Sequence, residues 1–573
     1  MLPGLPPWLF PGYSTDGHEE IPVGGEGLSS LWPAFSQPEK MDTSGDLEPG
    51  CLLFGKMPTI KGVKESAVLR TVWWIKRDIR ISDNHCLYLA SESSEEVIPF
   101  FCWEPGVVNA EDYGTFHLQA QWQAVRGLSA SLQKRGSGLV ERMGEVVDEL
   151  DALFAQVPFQ ILRSYQETGN DLTFRRDRAV RAWCREKGVE WVESVGSTVI
   201  RGLSAEQKRT HQGKGPRGRL AVLPIPGNLR PPKDKTIFSH PRGWEELTAS
   251  FPLLSAPLSS ALQTVNEGAA WDTLSSFLSE RGLAYSGGIS SPNTAFSAGS
   301  RLSPHLAWGT ISPGSVFRAL DQKREQLNAQ RAPSPWKRSL SAFESRLHWR
   351  DHFVQRLEGS PQMEFSAINP SFDRVEYENN PEFLTAWIDG RTGFPMIDAC
   401  MRCLGETGFM NFRMRAMVVS FACFGLHLSW RTIHGPLAQV FLDYEPGIHL
   451  SQLQMQAGIT GINAIRVYSP AKQFLDHDKE GSFVRRWVPE LRDRTAVEIA
   501  HAGEIDLPGY YPPIISLKER IRKMKEQIFS IRKSESAQTS ARITLQKHGS
   551  RKRTNLGTKS KAADGGQLAL FKD

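Results

Sequence analysis

Between residues 67 and 200, apolar runs with the character of strands alternate with stretches of helical period. AVLRTVWWI (67–75), EEVIPFFCWEP (95–105), FQILRSYQE (159–167) and VEWVESVGS (189–197) are short and rich in β-branched and aromatic residues, and read as strands. KRDIRISDNHCLYLASES (76–93) reads as a loop and then a helix, with Asp83 as candidate N-cap. FHLQAQWQAVRGLSASLQKRG (116–136), GEVVDELDALFAQ (144–156) and RRDRAVRAWCREKG (175–188) carry apolar residues at helical spacing. This alternation predicts a parallel, doubly wound α/β domain over residues 66–200. Residues 201–267, rich in Pro, Gly and basic side chains, read as a linker. From 268 to 500 nearly every segment has a helical period, which predicts a second, all-α domain. Residues 501–573 read as a basic helix (516–533) and a polar tail. Residues 1–65 show neither period, and the first 60 hold nine Pro and nine Gly, so this segment reads as a disordered extension.

The composition, 40% hydrophobic and 23% charged, excludes a wholly disordered chain. No apolar run reaches the roughly 18 residues of a membrane span, and the N-terminus lacks the basic start of a secretory signal. Seven scattered Cys argue for a reducing, intracellular compartment, cytoplasm or nucleus, rather than a disulfide framework. The net charge of +5 is unevenly spread: residues 1–60 carry eight acidic and two basic residues, residues 517–561 fourteen basic and three acidic. Any attraction for nucleic acid that composition alone records sits in the C-terminal segment.

GxxxxGK[ST], HExxH, GxSxG and a GxGxxG after the first strand are all absent. Cys400 and Cys403 form a CxxC inside a helical run and without a second pair, so a buried helix face is the better reading than a metal or redox site. His348 and His352 share a helix face without a third ligand. SAGSRLSPHLAWGTIS (297–312) is open to two readings: Gly299, Ser300 and Ser303 before a helix suit an anion pocket, and Ser303 with Pro304 suits plain N-capping. In SAFESRLHWRDHFVQRLE (341–358), Arg346, Trp349, Arg350 and Phe353 line one face and could hold an anionic, stackable ligand. Arg413 and Arg415 open an otherwise apolar helix and call for a carboxylate, with Asp443 and Glu445 the nearest downstream candidates.

Together these segments resemble the photolyase/cryptochrome flavoprotein family, in a divergent bacterial-type branch. VWWIKRDIRISDN (72–84) is similar to the family's first strand and the loop after it, SRLSPHLAWGTIS to its flavin-phosphate loop. HWRDHF, GRTGFPMIDACMRCLGETGFMNFRMR (390–415) and YSPAKQFLDHDKEGSFVRRWVPEL (468–491) follow in the family's order, so that the match covers residues 70–495. The resemblance implies an α/β domain followed by a helical domain holding FAD, and a second antenna chromophore of folate or deazaflavin type in many members. It places Tyr285, Gly299, Ser300, Arg301, Leu302 and Ser303 at the flavin's phosphates and ribitol, and Arg350 near its pyrophosphate. Arg413, the pair Arg415 and Asp443, and Tyr444 with Glu445 fall at the cofactor wall, and His449 at flavin N5. An imidazole there would titrate near neutral pH and make flavin reduction pH-dependent. Trp349 falls at the substrate wall.

The departures bear on function. Family members that repair cyclobutane dimers carry Glu, Asn, Met and Trp where this chain has Arg346, Phe412, Ala416 and Met455; (6-4) photolyases carry His at the positions of Phe412 and Ala416. The Trp triad that feeds the flavin maps to Leu453, Trp430 and Tyr377, so only its middle member is Trp. The resemblance implies a monomeric DNA photolyase without membrane contact, with Trp349, Trp430, His449 and Met455 at the chemistry and Arg346, Trp349, Phe412 and Met455 facing UV-damaged DNA. The alternative is a cryptochrome-like photoreceptor without repair.

Overall fold

The computed structural model describes residues 68–196, 199–202, 222–330 and 334–548. The N-terminal extension and the basic cluster after residue 548 lie outside the described residues.

Five parallel strands form one sheet in the order β3-β2-β1-β4-β5, with β1 Arg70–Ile75, β2 Glu96–Trp103, β3 Val140–Met143, β4 Ile161–Tyr165 and β5 Glu190–Ser194. Crossover helices α1 His85–Ser93, α2 Thr115–Gln133, α3 Val146–Gln156 and α4 Asp171–Lys187 cover both faces. Strand β1 shows why its sequence is apolar throughout: Val72 and Trp74 join the core on one face, Trp73 and Ile75 the core on the other. Strand β3 is an addition to the four strands legible in the sequence. Its Glu141 is buried because it accepts from Trp103 Nε1 at 2.7 Å and from the Arg242 backbone at 3.3 Å.

The cap of α1 is Asn84, whose Oδ1 accepts from Leu87 N at 3.0 Å, and not Asp83. Asp83 adopts a positive φ of 48° and turns away to accept from the hydroxyls of Ser312 and Ser315. Together with Arg80, which donates to Gly309 O at 2.9 Å, it ties the loop after β1 to the helical region. Gly309, at φ 68°, passes so close that a Cβ would lie 1.9 Å from the Arg77 carbonyl oxygen.

Of the segment read as a linker, residues 203–221 lie outside the described residues, and residues 222–267 are packed against the folded core. Trp244, Leu247, Phe251 and Val265 are buried in the same core as Trp73 and Trp308. Helices α5 Glu267–Ser279, α6 Pro313–Ala329, α7 Ser334–Gly359, α8 Pro395–Thr407, α9 Phe412–Ser420, α10 Trp430–Val440 and α11 Pro446–Gln456 then build the helical region, α7 packing along α11. Two helices close it, the basic α12 Leu517–Lys533 and α13 Glu535–His548. The second replaces part of the polar tail read from sequence: Ala537 and Thr544 are buried, and Asn369 Nδ2 donates to Ala537 O at 3.0 Å. Among the described residues no helix is long and apolar enough to cross a membrane, and all six cysteines are buried and free.

Candidate functional site

The loop Gly299–Leu302 joins two short helices, Ala295–Ala298 and Ser303–Ala307. Ser303 does not cap the second; Leu302 stands at the cap position and Ser303 is exposed. A Cβ at Gly299 would meet the Ala295 carbonyl oxygen at 2.5 Å, so the glycine at this position is required by close approach. Arg281 braces the loop from behind, donating to the carbonyls of Gly299 and Ser300, and Gln263 Nε2 donates to Arg301 O at 2.9 Å. Arg301 itself has φ 59°, which turns its side chain onto Phe409, 3.8 Å from the ring centroid.

Charge accumulates here. Burial lowers the Arg301 guanidinium to about 10, Asp443 acting the other way and Arg415 and Arg281 adding to the fall. Arg415 holds both Asp443 oxygens at 3.0 Å, donates from Nε to Met410 O at 2.7 Å and lies 4.1 Å over Phe441. Three arginines gather here, and two of them, Arg301 and Arg415, face the Asp443 carboxylate. Arg301 Nη1 and Arg413 Nε are buried without a hydrogen-bond partner among the described residues. Buried donors left in that state cost roughly 1–3 kcal/mol each, and an anionic ligand is what would satisfy them.

On α7, Arg346 hydrogen-bonds the buried Tyr285, whose phenol burial pushes up to about 12. Trp349 is half-buried against Phe353, ring centroids 5.4 Å apart. Arg350 pairs with Asp351 at 2.9 Å and feels Glu445, which is itself 3.6 Å from Arg77 of the loop after β1. Burial raises the Glu445 carboxyl, and its Oε1 has no partner among the described residues. The structure thus sorts the sequence candidates into two charge groups, one around Arg301 and Arg415, the other around Arg350 and Glu445.

Phe412 is 43% exposed at the start of α9, directly before the buried guanidine nitrogen of Arg413, whereas Ala416 one turn on is buried. Met455 is half-buried, its sulfur 3.7 Å from Arg356 Nη1. Leu453 and Trp430 are buried, with Arg431 stacked 4.7 Å over Trp430, and the Tyr377 hydroxyl has no partner among the described residues. Cys400 and Cys403 lie on the buried face of α8. His352 sits 3.2 Å from Arg356, and no group of metal-binding side chains forms among the described residues.

His449 is buried, and burial holds it well below the usual histidine range, so it stays neutral at physiological pH. Its Nε2 lies 3.3 Å from the His434 carbonyl oxygen. The titration near neutrality expected from sequence is therefore removed by desolvation. Around it stand groups the sequence did not single out: His117, held at about 4 by burial, His434, and Asp112, which accepts from the Tyr444 hydroxyl at 2.6 Å. A histidine on the apolar face of helix 116–136 was the only available signal for this cluster. A groove of about 1660 Å3 between Phe394, Phe474, Ile499 and α12 lies elsewhere; none of the candidate residues lines it.

The comparisons with known proteins agree on one family. A family model described as the FAD binding domain of DNA photolyase matches residues 343–530, and one described as DNA photolyase matches residues 71–217. A deoxyribodipyrimidine photo-lyase of Agrobacterium fabrum is 29% identical over 443 residues, covering 73% of this chain and 86% of its own. A cryptochrome DASH of Xenopus laevis is 25% identical, covering 79% of this chain and 91% of its own. Among solved structures, a bacterial class III photolyase from Agrobacterium tumefaciens aligns with a TM-score of 0.69 at 24% identity, over 83% of this chain and 100% of its own. A Synechocystis cryptochrome aligns with a TM-score of 0.71 at 19% identity, over 80% of this chain and 99% of its own. The cofactor is FAD, and a buried, unpartnered donor such as Arg301 Nη1 suits an anionic ligand. With a sheet, a helical domain and a cation-lined site of this kind, the chain belongs to the photolyase/cryptochrome family.

Proposed function

We propose that the protein is a blue-light-dependent DNA photolyase that repairs UV-induced pyrimidine dimers. The observation that carries this reading is the placement of Phe412 and Arg413 on consecutive residues: an exposed aromatic that can stack on a base, beside a half-buried arginine whose Nε has no hydrogen-bond partner among the described residues. Arg301, Arg413 and the Arg415–Asp443 pair would hold the anionic part of FAD, and Tyr285 and Ser300 would line the same wall. When bound and reduced, FAD supplies a light-driven one-electron donor. The chain's own residues bind and orient the substrate: Trp349, Phe412 and Met455 offer faces for an extruded dimer, and Arg346 offsets the charge of its backbone. The neutral His449 holds a fixed hydrogen bond instead of exchanging a proton with solvent.

A cryptochrome-like photoreceptor is the second reading. The residues favouring it are Arg346, Phe412, Ala416 and Met455, none of which is the residue that cyclobutane-dimer members of the family carry, together with the similarity to proteins named cryptochrome DASH. The deciding experiment is repair of defined cyclobutane and (6-4) lesions in single- and double-stranded DNA under blue light, with a dark control. Light-dependent loss of either lesion supports the photolyase; FAD-loaded protein that repairs neither supports the photoreceptor.

The cleft at the carboxyl edge of the sheet, lined by Lys76, Glu104, Arg176, Trp308 and Tyr444, encloses about 70 Å3. That is the volume of a few waters, so a second chromophore of folate or deazaflavin type would have to bind elsewhere or open it.

A further inference from the structure

Five rings run in contact through the interior beside the Arg415–Asp443 pair. His449 meets Tyr444 edge-on with centroids 5.3 Å apart, and Tyr444 stacks on His117 at 5.6 Å and 17°. His117 in turn lies 5.3 Å from Tyr113 and 5.6 Å from Trp308. None of the five is more than 8% exposed. The Tyr444 hydroxyl donates to Asp112 Oδ2 at 2.6 Å, and Asn170 Nδ2 donates to the same oxygen at 3.0 Å. Asp112 is half-buried and lines the cleft at the sheet edge, so a proton delivered to it has a way to water. One turn beyond His449 on α11, the buried Leu453 offers no accessible oxidation state ahead of Trp430.

We propose that Tyr444 is the one-electron donor to photoexcited FAD in this chain, with Asp112 as its proton acceptor, and that the pair replaces the route interrupted at Leu453. This rests on the blue-light flavoprotein reading above. In the step, the Tyr444 O–H bond breaks; the proton passes to Asp112 and the electron, through the His449 contact, to FAD. FAD is reduced by one electron and Tyr444 is oxidised by one, to a neutral phenoxyl radical. An external thiolate then supplies one electron to Tyr444 and is oxidised towards disulfide, while Asp112 returns the proton. Two surroundings hold the radical on Tyr444. The Arg77 guanidinium lies 5.2 Å over Trp308 and disfavours a radical cation on that indole. Burial keeps His117 and His449 neutral, so the rings between bring no charge of their own.

The test uses full-length protein loaded with FAD, its flavin content fixed by absorbance before illumination. Samples frozen under blue light with a thiol reductant are examined by electron paramagnetic resonance. The expected signal is a tyrosyl radical that narrows in protein grown on ring-deuterated tyrosine and is lost in Tyr444→Phe. Flavin photoreduction should slow roughly tenfold in Tyr444→Phe and more than in Trp430→Phe. Asp112→Asn, which keeps a hydrogen-bond acceptor for the phenol, should slow it too and diminish the solvent deuterium effect. A tryptophanyl signal in the parent, a tyrosyl signal that survives Tyr444→Phe, or a larger loss in Trp430→Phe overturns the proposal. Should Tyr444→Phe fail to fold, an unchanged rate in Asp112→Asn overturns it equally. Protein that takes up no FAD overturns the flavoprotein reading and the proposal together; FAD uptake with the wrong radical overturns the proposal alone.

Discussion

At the carboxyl edge of the sheet, Arg176 reaches Glu104, Glu167 and Asp177 at 3.1, 2.5 and 2.9 Å, and Lys76 reaches Asp177 at 3.3 Å. Around the loop after Gly299, Arg301 and Arg415 face the carboxylate of Asp443, and Arg281 adds a third cation. Both groups are largely withdrawn from water, where an uncompensated charge costs several kcal/mol. The first closes on itself: Arg176 and Lys76 also lie 4.9 and 4.6 Å over Trp74, and little volume remains. The second stays open, with a donor nitrogen on Arg301 that no described residue satisfies. Each group leaves one buried polar atom without a partner among the described residues, Glu104 Oε2 in the first and Arg301 Nη1 in the second, so what separates them is the excess of buried cations in the second, which calls for an anionic ligand.

The difference can be broken from the closed side first. Arg176→Met leaves Glu104, Glu167 and Asp177 with Lys76, and Arg201 at 3.5 Å from Asp177, as their remaining close cations. The expected loss is about 3–5 kcal/mol of unfolding free energy, visible as a lowered urea midpoint. The folded fraction should still take up FAD in full, because none of these residues belongs to the Arg301 group. Unchanged stability would mean that the network is solvated and adds nothing.

From the open side, Asp443→Ala should act mainly on the ligand. The Arg415 side chain is 25% exposed, so water compensates part of the lost pair, and the stability cost should stay near 1–2 kcal/mol. Flavin content should fall, because Arg415 loses the contact that fixes its direction. Equal flavin content in parent and variant, by absorbance after gel filtration, would show that the pair does not position the cofactor.

The same contrast explains what was legible in the sequence. Strands β1, β2 and β4 showed as apolar runs because both faces of each are buried, and the half-buried β5 through Trp191 and Val192. Strand β3 did not, because Glu141 and Arg142 interrupt the run, and the partner that admits Glu141 to the core is Trp103, 38 residues away in sequence. Asp83 and Asn84 are chemically equivalent caps, and only the positive φ of Asp83 assigns the role to Asn84. The buried Trp244 and Phe251 were hidden among the Pro and basic residues of the segment before residue 268. At the site, Arg415 was legible as a cation opening an apolar helix, with Asp443 and Glu445 as candidate partners, and the family pattern chose Asp443. Asp112 and Tyr444 stand 332 residues apart and joined no motif, so their hydrogen bond could come only from the fold.

The last expected effect shows only as a dependence on pH and concerns the member of the closed network that titrates near neutrality. Burial raises Glu104 to about 7, ahead of the opposing pull of Arg176, and leaves its Oε2 without a partner. In the unfolded chain the same carboxyl titrates near 4.5. Between these values the folded protein keeps a proton that the unfolded chain has lost, so this group's contribution is complete below about 4.5 and is lost as pH rises towards 7. The histidines run the other way. His117, His305 and His352 are held at about 4, while the unfolded chain takes up protons below 6.5, so their contribution is complete above 6.5 and is lost on acidification. Measuring Glu104→Gln against the parent subtracts the histidines. The variant should gain about 1.4 kcal/mol relative to the parent for each pH unit of the window, and nothing further above it. Because the amide oxygen can still accept from Arg176, the pair geometry survives the exchange. A stability difference that does not vary with pH would show that Glu104 is ionised throughout, its charge and those of Glu167 and Asp177 being met by Arg176, Lys76 and Arg201 without a bound proton.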